Sequence, residues 1–203
     1  MKDTYNTILK PTEEVLFKDK NSKFFGYAFP VSSEEEIKTL LEQVKKDHHA
    51  ARHWCYAYQL GTEEPNIQFR ANDDGEPNNS AGMPIYGQIQ SFEVTNILII
   101  VVRYFGGVKL GVGGLINAYK TTAQMALEVA DIVTRTINKL FLIHCDYKNI
   151  NTVMRIIKEK NLDVTNQKME LDCEITISVR LKDVPAIFEQ FDHLFEIDIK
   201  ELD

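Results

Sequence analysis

The chain has 203 residues, 44% hydrophobic and 26% charged, a globular composition with room for one large domain or two small ones. No apolar run reaches the roughly 20 residues that a membrane-spanning helix needs, and the opening residues MKDTYNTILKPTEE lack an apolar export core, so the expected location is the cytoplasm with no membrane partner. A net charge of −7 argues against strong, sequence-blind nucleic-acid binding, which runs on phosphate neutralisation, but leaves room for a local basic patch.

In chain order, strands are expected at 14–17 and 23–29. Ser33 and Glu36 then form a capping box that opens a helix whose apolar face is Ile37, Leu40, Leu41 and Val44. The end of that helix is basic (Lys45, Lys46, His48, His49, Arg52, His53) and runs into a strand at 53–60 carrying Trp54, Tyr56 and Tyr58. Basic residues interleaved with aromatics can serve RNA contact; a charged helix end favoured by the helix dipole is the plainer alternative. His49 and His53 are four apart but have no third ligand at zincin spacing.

A polar loop is expected from there to Ser80. It contains Asn72-Asp73-Asp74-Gly75-Glu76-Pro77, in which Asp74-Gly75 favours a turn. Three carboxylates within four residues can bind a divalent cation such as Mg²⁺ or act as acid and base. Equally, Asp73, Asp74 and Glu76 can bond to Arg52 or Arg103 and fix the loops. EF-hand spacing is absent. No other cofactor is indicated.

Residues 96–102 form a strand that is apolar throughout from Ile97 to Val102, expected to be central and covered on both faces. It leads into Arg103-Tyr104-Phe105-Gly106-Gly107-Val108-Lys109-Leu110-Gly111-Val112-Gly113-Gly114, with five glycines in nine residues, before a helix at about 113–130. Such a loop lets backbone amides and a helix N-terminus approach an anion, with Arg103 and Lys109 adding charge-assisted bonds. It fits neither the Walker nor the dinucleotide pattern, and close helix–strand packing is the alternative use of its glycines.

All ten glycines lie at or before Gly114, and only Pro185 among six prolines lies beyond Pro84. The shift suggests a boundary near residues 134–136, giving domains over 1–134 and 135–203. Beyond it come a strand at 137–145 and a helix face of Ile150, Val153, Met154 and Ile157. A short strand at 162–165 and a turn at 166–168 follow. Next is an alternating strand through Cys173, Ile175, Ile177, Val179 and Leu181, then a helix stripe of Val184, Ile187, Phe188 and Phe191. Phe195, Ile197 and Ile199 make the last strand. The order is β-α-β-β-α-β, the ferredoxin-like arrangement. Its central strand turns Glu174, Thr176, Ser178 and Arg180 to the free face, with no aromatic for base stacking. Cys55, Cys145 and Cys173 are scattered and read as small buried hydrophobes of a reducing compartment. No nucleophile elbow appears, and Cys55 sits mid-strand with no helix N-terminus to activate it.

The motifs together resemble the IMPACT/YigZ family, bacterial two-domain branch. The resemblance rests on Ala51-Arg52-His53 with its aromatic strand, Asp73-Asp74-Gly75-Glu76-Pro77, Ala81-Gly82-x-Pro84, and Arg103-Tyr104-Phe105-Gly106-Gly107 through Gly113-Gly114-Leu115 to Ala118-Tyr119. The chain departs from the family pattern at Ser80, where Thr is commoner, and at Asn78-Asn79. The resemblance implies an α+β chain: an N-terminal domain of the fold shared with a small-subunit ribosomal protein domain, elongation factor G domain four and the GHMP kinases, and a ferredoxin-like C-terminal domain resembling elongation factor G domain five. No kinase set of catalytic residues can be assembled on it. In eukaryotic members the family implies translational control, by binding the activator of the kinase that acts on initiation factor two. The expectation is therefore a non-enzymatic cytoplasmic protein associated with translation, binding RNA, the ribosome or a regulatory protein, without DNA specificity. Its expected anion or ligand site is Arg52, His53, Arg103, Tyr104, Gly106, Gly107, Lys109, Gly111, Gly113 and Gly114, beside the acidic turn of Asp73, Asp74, Gly75, Glu76 and Pro77. The alternative is an enzyme on a phosphorylated or carboxylated small molecule, with Mg²⁺ at the acidic turn and the anion at the glycine loop.

Overall fold

The computed structural model describes residues 3–63 and 65–202. It is a mixed α/β chain in two compact units, one over Tyr5–Arg135 and one that begins at Thr136 and takes in Asp3 and Thr4 from the N-terminus.

The first unit runs β1 (Thr4–Ile8), β2 (Val15–Asp19), β3 (Ser22–Pro30), α1 (Glu34–Asp47), β4 (His53–Leu60), β5 (Gln68–Asn72), α2 (Gly82–Ser91), β6 (Ile97–Tyr104), α3 (Gly111–Glu128) and β7 (Ile132–Thr136). Five strands form one sheet in the order β2-β3-β6-β4-β5, each pair antiparallel. Its first hairpin turns through Lys20-Asn21, both at positive φ, the primed geometry that matches strand twist. Strand β6 is central and buried from Ile97 to Arg103, as its unbroken apolar run predicts. Side chains alternate across the sheet. Phe24, Ala28, Cys55, Ala57, Ile99 and Val101 face the cluster that α2 and α3 join, whereas Phe25, Tyr27, Trp54, Tyr56, Tyr58 and Ile100 share the face of α1. Small residues dominate the first face because α3 comes close to it. A Cβ on Gly26 would stand 2.7 Å from Thr122 Cγ2 and 2.9 Å from Val15 Cγ2.

Several local readings need correction. The capping box is shifted by one residue: Ser33 Oγ accepts from Glu36 N–H, but the Glu36 carboxylate takes the N–H of Ser32 at 2.7 Å. The polar loop before Ser80 contains β5, an edge strand whose Gln68, Phe69 and Arg70 are exposed, so no alternation marks it. Helix α3 starts two residues earlier than expected, at Gly111.

The second unit runs β8 (Asn138–Cys145), α4 (Ile150–Glu159), β9 (Asp163–Met169), β10 (Cys173–Arg180), a 3-10 turn (Leu181–Asp183), α5 (Val184–Asp192) and β11 (Ile197–Leu202). The sheet order is β11-β8-β10-β9, with neighbours antiparallel. Phe141, Ile143, Cys145, Ile175, Ile177 and Val179 pack with Val153, Ile157, Ile187 and Phe191 of the two helices. Strand β9 continues through 166–168, where a turn was expected, and the chain reverses at 170–172; a register shift at Thr176/Ile177 absorbs the irregularity. All of β9 is exposed, so its pattern carries no burial signal. Phe195 lies in the turn before β11, 88% exposed, and is not part of the strand.

Two measurements test this packing. Gly26→Ala is expected to destabilise the first unit by about 1–3 kcal/mol through overpacking, read by urea denaturation followed at Trp54. All three cysteines are free and buried, and burial, with Cys173 beside it, pushes the Cys145 thiol up to about 11. At pH 8 that leaves about a thousandth of it as the reactive thiolate. The native protein should therefore resist thiol reagents, and three thiols should titrate on denaturation.

Candidate functional site

The site grows from strand register. Phe24 on β3 and His53 on β4 both pair with Arg103 of β6, so the three side chains form one row across the sheet on the α2/α3 face. The Arg103 guanidinium lies between the Phe24 and Phe105 rings, 5.6 and 5.5 Å from their centroids. Its Nη1 donates to Glu76 Oε1 at 2.6 Å, and the Tyr119 hydroxyl of α3 donates to the same oxygen at 2.8 Å. Both charged side chains are buried, 7% exposed for Arg103 and 4% for Glu76. Burial drives the Tyr119 hydroxyl far above its ordinary range, so it stays protonated and acts as a donor. A pair so desolvated holds only because the charges compensate each other at close range.

His53 completes the cluster. Its Nδ1 lies 2.8 Å from the carbonyl oxygen of Asp74, which can only accept, so Nδ1 carries the proton. The other nitrogen stands 4.0 Å from Glu76 Oε1.

The acidic turn is spent internally. Asp73 accepts the N–H of Asn79 on one oxygen, and those of Ala81 and Gly82 on the other, at 2.8–3.0 Å. It thereby caps α2 from outside, since the N-cap Ala81 has no side-chain acceptor. The Asp74 carboxylate accepts Trp54 N–H at 2.7 Å. Asp74 and Gly75 turn the chain at φ 42° and 84°, and Pro77 lies exposed beyond them. The Cys55 S–H donates to the Asp73 carbonyl, and burial holds that thiol protonated. The three carboxylates thus serve three different donor sets. Among the described residues no group of three His, Cys, Asp or Glu has the arrangement to hold a metal ion. Of the two arginines weighed for the turn, Arg103 meets it; Arg52 is exposed and makes no ion pair among the described residues.

The glycine loop has two functions along its length. Gly106 is pressed on the β2–β3 hairpin: its N–H donates to Ser22 Oγ at 3.1 Å, and an added Cβ would lie 2.1 Å from Asn21 carbonyl carbon. Gly114 packs on Leu110, where a Cβ would meet the leucine Cβ at 3.0 Å. By contrast Gly107 and Gly111 face open space at φ 87° and 75°, and Gly113 faces open space too. The start of α3 has no side-chain cap, and Gly111, Val112 and Gly113 are exposed. Lys109 beside it is exposed and makes no ion pair among the described residues. Phe105, Val108, Val112 and Ile116 are 39–54% exposed around it.

Tyr104 does not join this group. It points to the opposite face, where its hydroxyl lies 3.0 Å from His48 Nδ1, because neighbouring residues of a strand alternate. Two partners escaped the sequence reading, Phe24 and Ser22. Tyr119 was marked only as part of the Ala118-Tyr119 motif, with no role assigned; helix phase puts it eight residues beyond Gly111 on the buried stripe with Leu115 and Ala118.

The pattern described as the Impact N-terminal domain matches residues 20–127. The chain is 32% identical over 203 residues to the IMPACT family member YvyE of Bacillus subtilis, covering 99% of this chain and 92% of that one. An IMPACT family member of Haemophilus influenzae is 29% identical over 180 residues, covering 88% and 87%. A crystal structure of a hypothetical protein superposes with a TM-score of 0.74 at 25% identity, over 100% of this chain and 98% of that one.

Glu76→Gln removes the charge and keeps the shape, leaving Arg103 buried without a counter-ion. The expected loss is about 3–5 kcal/mol of stability in this unit, against about 1.5–3 kcal/mol for Tyr119→Phe, which forfeits one hydrogen bond to the buried carboxylate. Denaturant titration of both variants checks the ratio.

Proposed function

The chain belongs to the IMPACT family, and from that premise we propose that it is a cytoplasmic, non-enzymatic binding protein associated with translation, which meets RNA, the ribosome or a regulatory protein at its glycine loop. The observation that carries this reading is the contrast within the site. Glu76, Arg103, Asp73 and Asp74 are locked in internal bonds, whereas Lys109, the uncapped start of α3 and the apolar ledge of Phe105, Val108 and Val112 are exposed together. Uncapped amides with a neighbouring lysine suit a phosphate or carboxylate, and exposed apolar side chains around them suit a macromolecular surface. In this reading the buried pair positions the loop and needs no cofactor.

The fold supports the same proposal by analogy alone. Numbered from β8, the second unit has the strand order 4-1-3-2 with both helices on one face, which we read as ferredoxin-like and akin to elongation factor G domain five. We read the first unit as the domain-four type. Among the described residues no helix is long and apolar enough to cross a membrane.

Co-sedimentation with ribosomes at low and high salt tests the proposal. Wild type should pellet with ribosomes at low salt and release as salt rises, because charge-assisted phosphate contacts are screened. Lys109→Ala should pellet less while melting at the wild-type temperature. Failure to pellet at any salt, or equal pelleting by the variant, would refute the loop as the contact.

A further inference from the structure

On the face of the sheet opposite the glycine loop, α1 and the β4–β5 edge enclose a groove of about 350 Å³. That volume lies within the range that takes a small organic ligand. Tyr56 forms part of its lining, half-buried, with a hydroxyl that makes no hydrogen bond among the described residues. Tyr58 is 4% exposed, and its hydroxyl donates to Glu34 at 2.6 Å, which engages that carboxylate. Lys38 and Lys45 stand on α1 and Arg70 on β5, directly paired with Tyr58. All three are exposed and none makes an ion pair among the described residues, so three cations meet two carboxylates, Glu34 and Glu42, in a chain of net charge −7. The Lys45 ammonium lies 5.7 Å over the ring of Trp54, and Trp54 Nε1 is buried without a hydrogen-bond partner.

We propose that this groove binds one or two nucleotides of a single-stranded nucleic acid, with a base on Tyr56 and phosphates between Lys38, Lys45 and Arg70. Two features favour this over an acidic peptide. A flat ring at the groove offers a π-face that a carboxylate side chain does not use, and stacking on such a ring suits any base. The unpaired cations come from two separate elements, which suits a backbone of repeated phosphates. The site is separate from the glycine loop, so either can fail without the other.

Trp54 is the chain's single tryptophan, and its ring lies under the Lys45 ammonium that lines the groove, so its fluorescence follows a ligand that engages Lys45. Short single-stranded oligonucleotides, RNA and DNA, are titrated while tryptophan emission and the anisotropy of a labelled strand are followed between about 50 and 200 mM salt. The expected result is a change in Trp54 emission on binding, with affinity falling as salt rises. Tyr56→Ala and Arg70→Glu should each weaken binding about tenfold or more, the scale of one lost base stack. Arg70 is exposed, so its variant tests the groove even if Tyr56→Ala unfolds. Wild-type affinity in Arg70→Glu would overturn the proposal, as would absence of binding at low salt. Equal competition by polyglutamate would replace the strand with an acidic protein, and a mononucleotide binding as tightly as the oligomer would replace it with a free nucleotide.

Discussion

The carboxylate of Glu76 is the point on which the first unit depends. A buried carboxylate survives only with full compensation, and this one receives the Arg103 guanidinium from the central strand and the Tyr119 hydroxyl from the long helix on one oxygen. It therefore ties together three distant stretches of chain: the acidic turn, β6 and α3. The rest of the turn follows the same economy. Asp73 caps α2 and Asp74 anchors the start of β4, so a segment that reads as a cluster of free acid is a set of structural acceptors.

That arrangement decides which groups of the loop stay unengaged. With its acids spent, the turn fixes the loop between β6 and α3 by its underside, through Arg103 and its sandwich between Phe24 and Phe105. The upper side of the loop keeps its donors and its lysine for something else. Gly106 and Gly107 show the division within two residues. The first is a packing glycine held against the backbone of the β2–β3 hairpin; the second is a conformational glycine at positive φ facing open space.

The two faces of the five-stranded sheet differ in the same way. Where α2 and α3 pack, the strands contribute alanine, cysteine and glycine, and the interior is close-fitted. Where α1 lies, they contribute Phe25, Tyr27, Trp54 and Tyr56, only partly buried. There His48 bridges the hydroxyls of Tyr27 and Tyr104 through its two ring nitrogens. Aromatic residues are tolerated half-exposed because they present both an apolar body and a polar edge, which leaves this face open to contact along the β4–β5 edge.

Much of this was legible in the amino-acid order alone. The unbroken apolar run of 97–102 required a strand covered on both sides, and the alternation of Cys173 to Val179 with the two helix stripes around it determined the β-α-β-β-α-β order. Both signals are local, because burial on one or two faces imposes a period of two or none. Strand β5 escaped, and β9 was legible only at its start, because both are exposed edge strands and carry no such period. The motifs marked the acidic turn and the glycine loop, but not their relation. That Glu76 meets Arg103 and not Arg52, that Tyr104 turns away from the residue before it, and that Phe24 and Tyr119 close the site were decided by tertiary structure. They depend on the pairing of β6 with β3 and β4, which brings Arg103 against Phe24 and His53, 79 and 50 residues earlier in the chain. Register between such distant strands is set by how whole faces fit together, and no window of local sequence contains it.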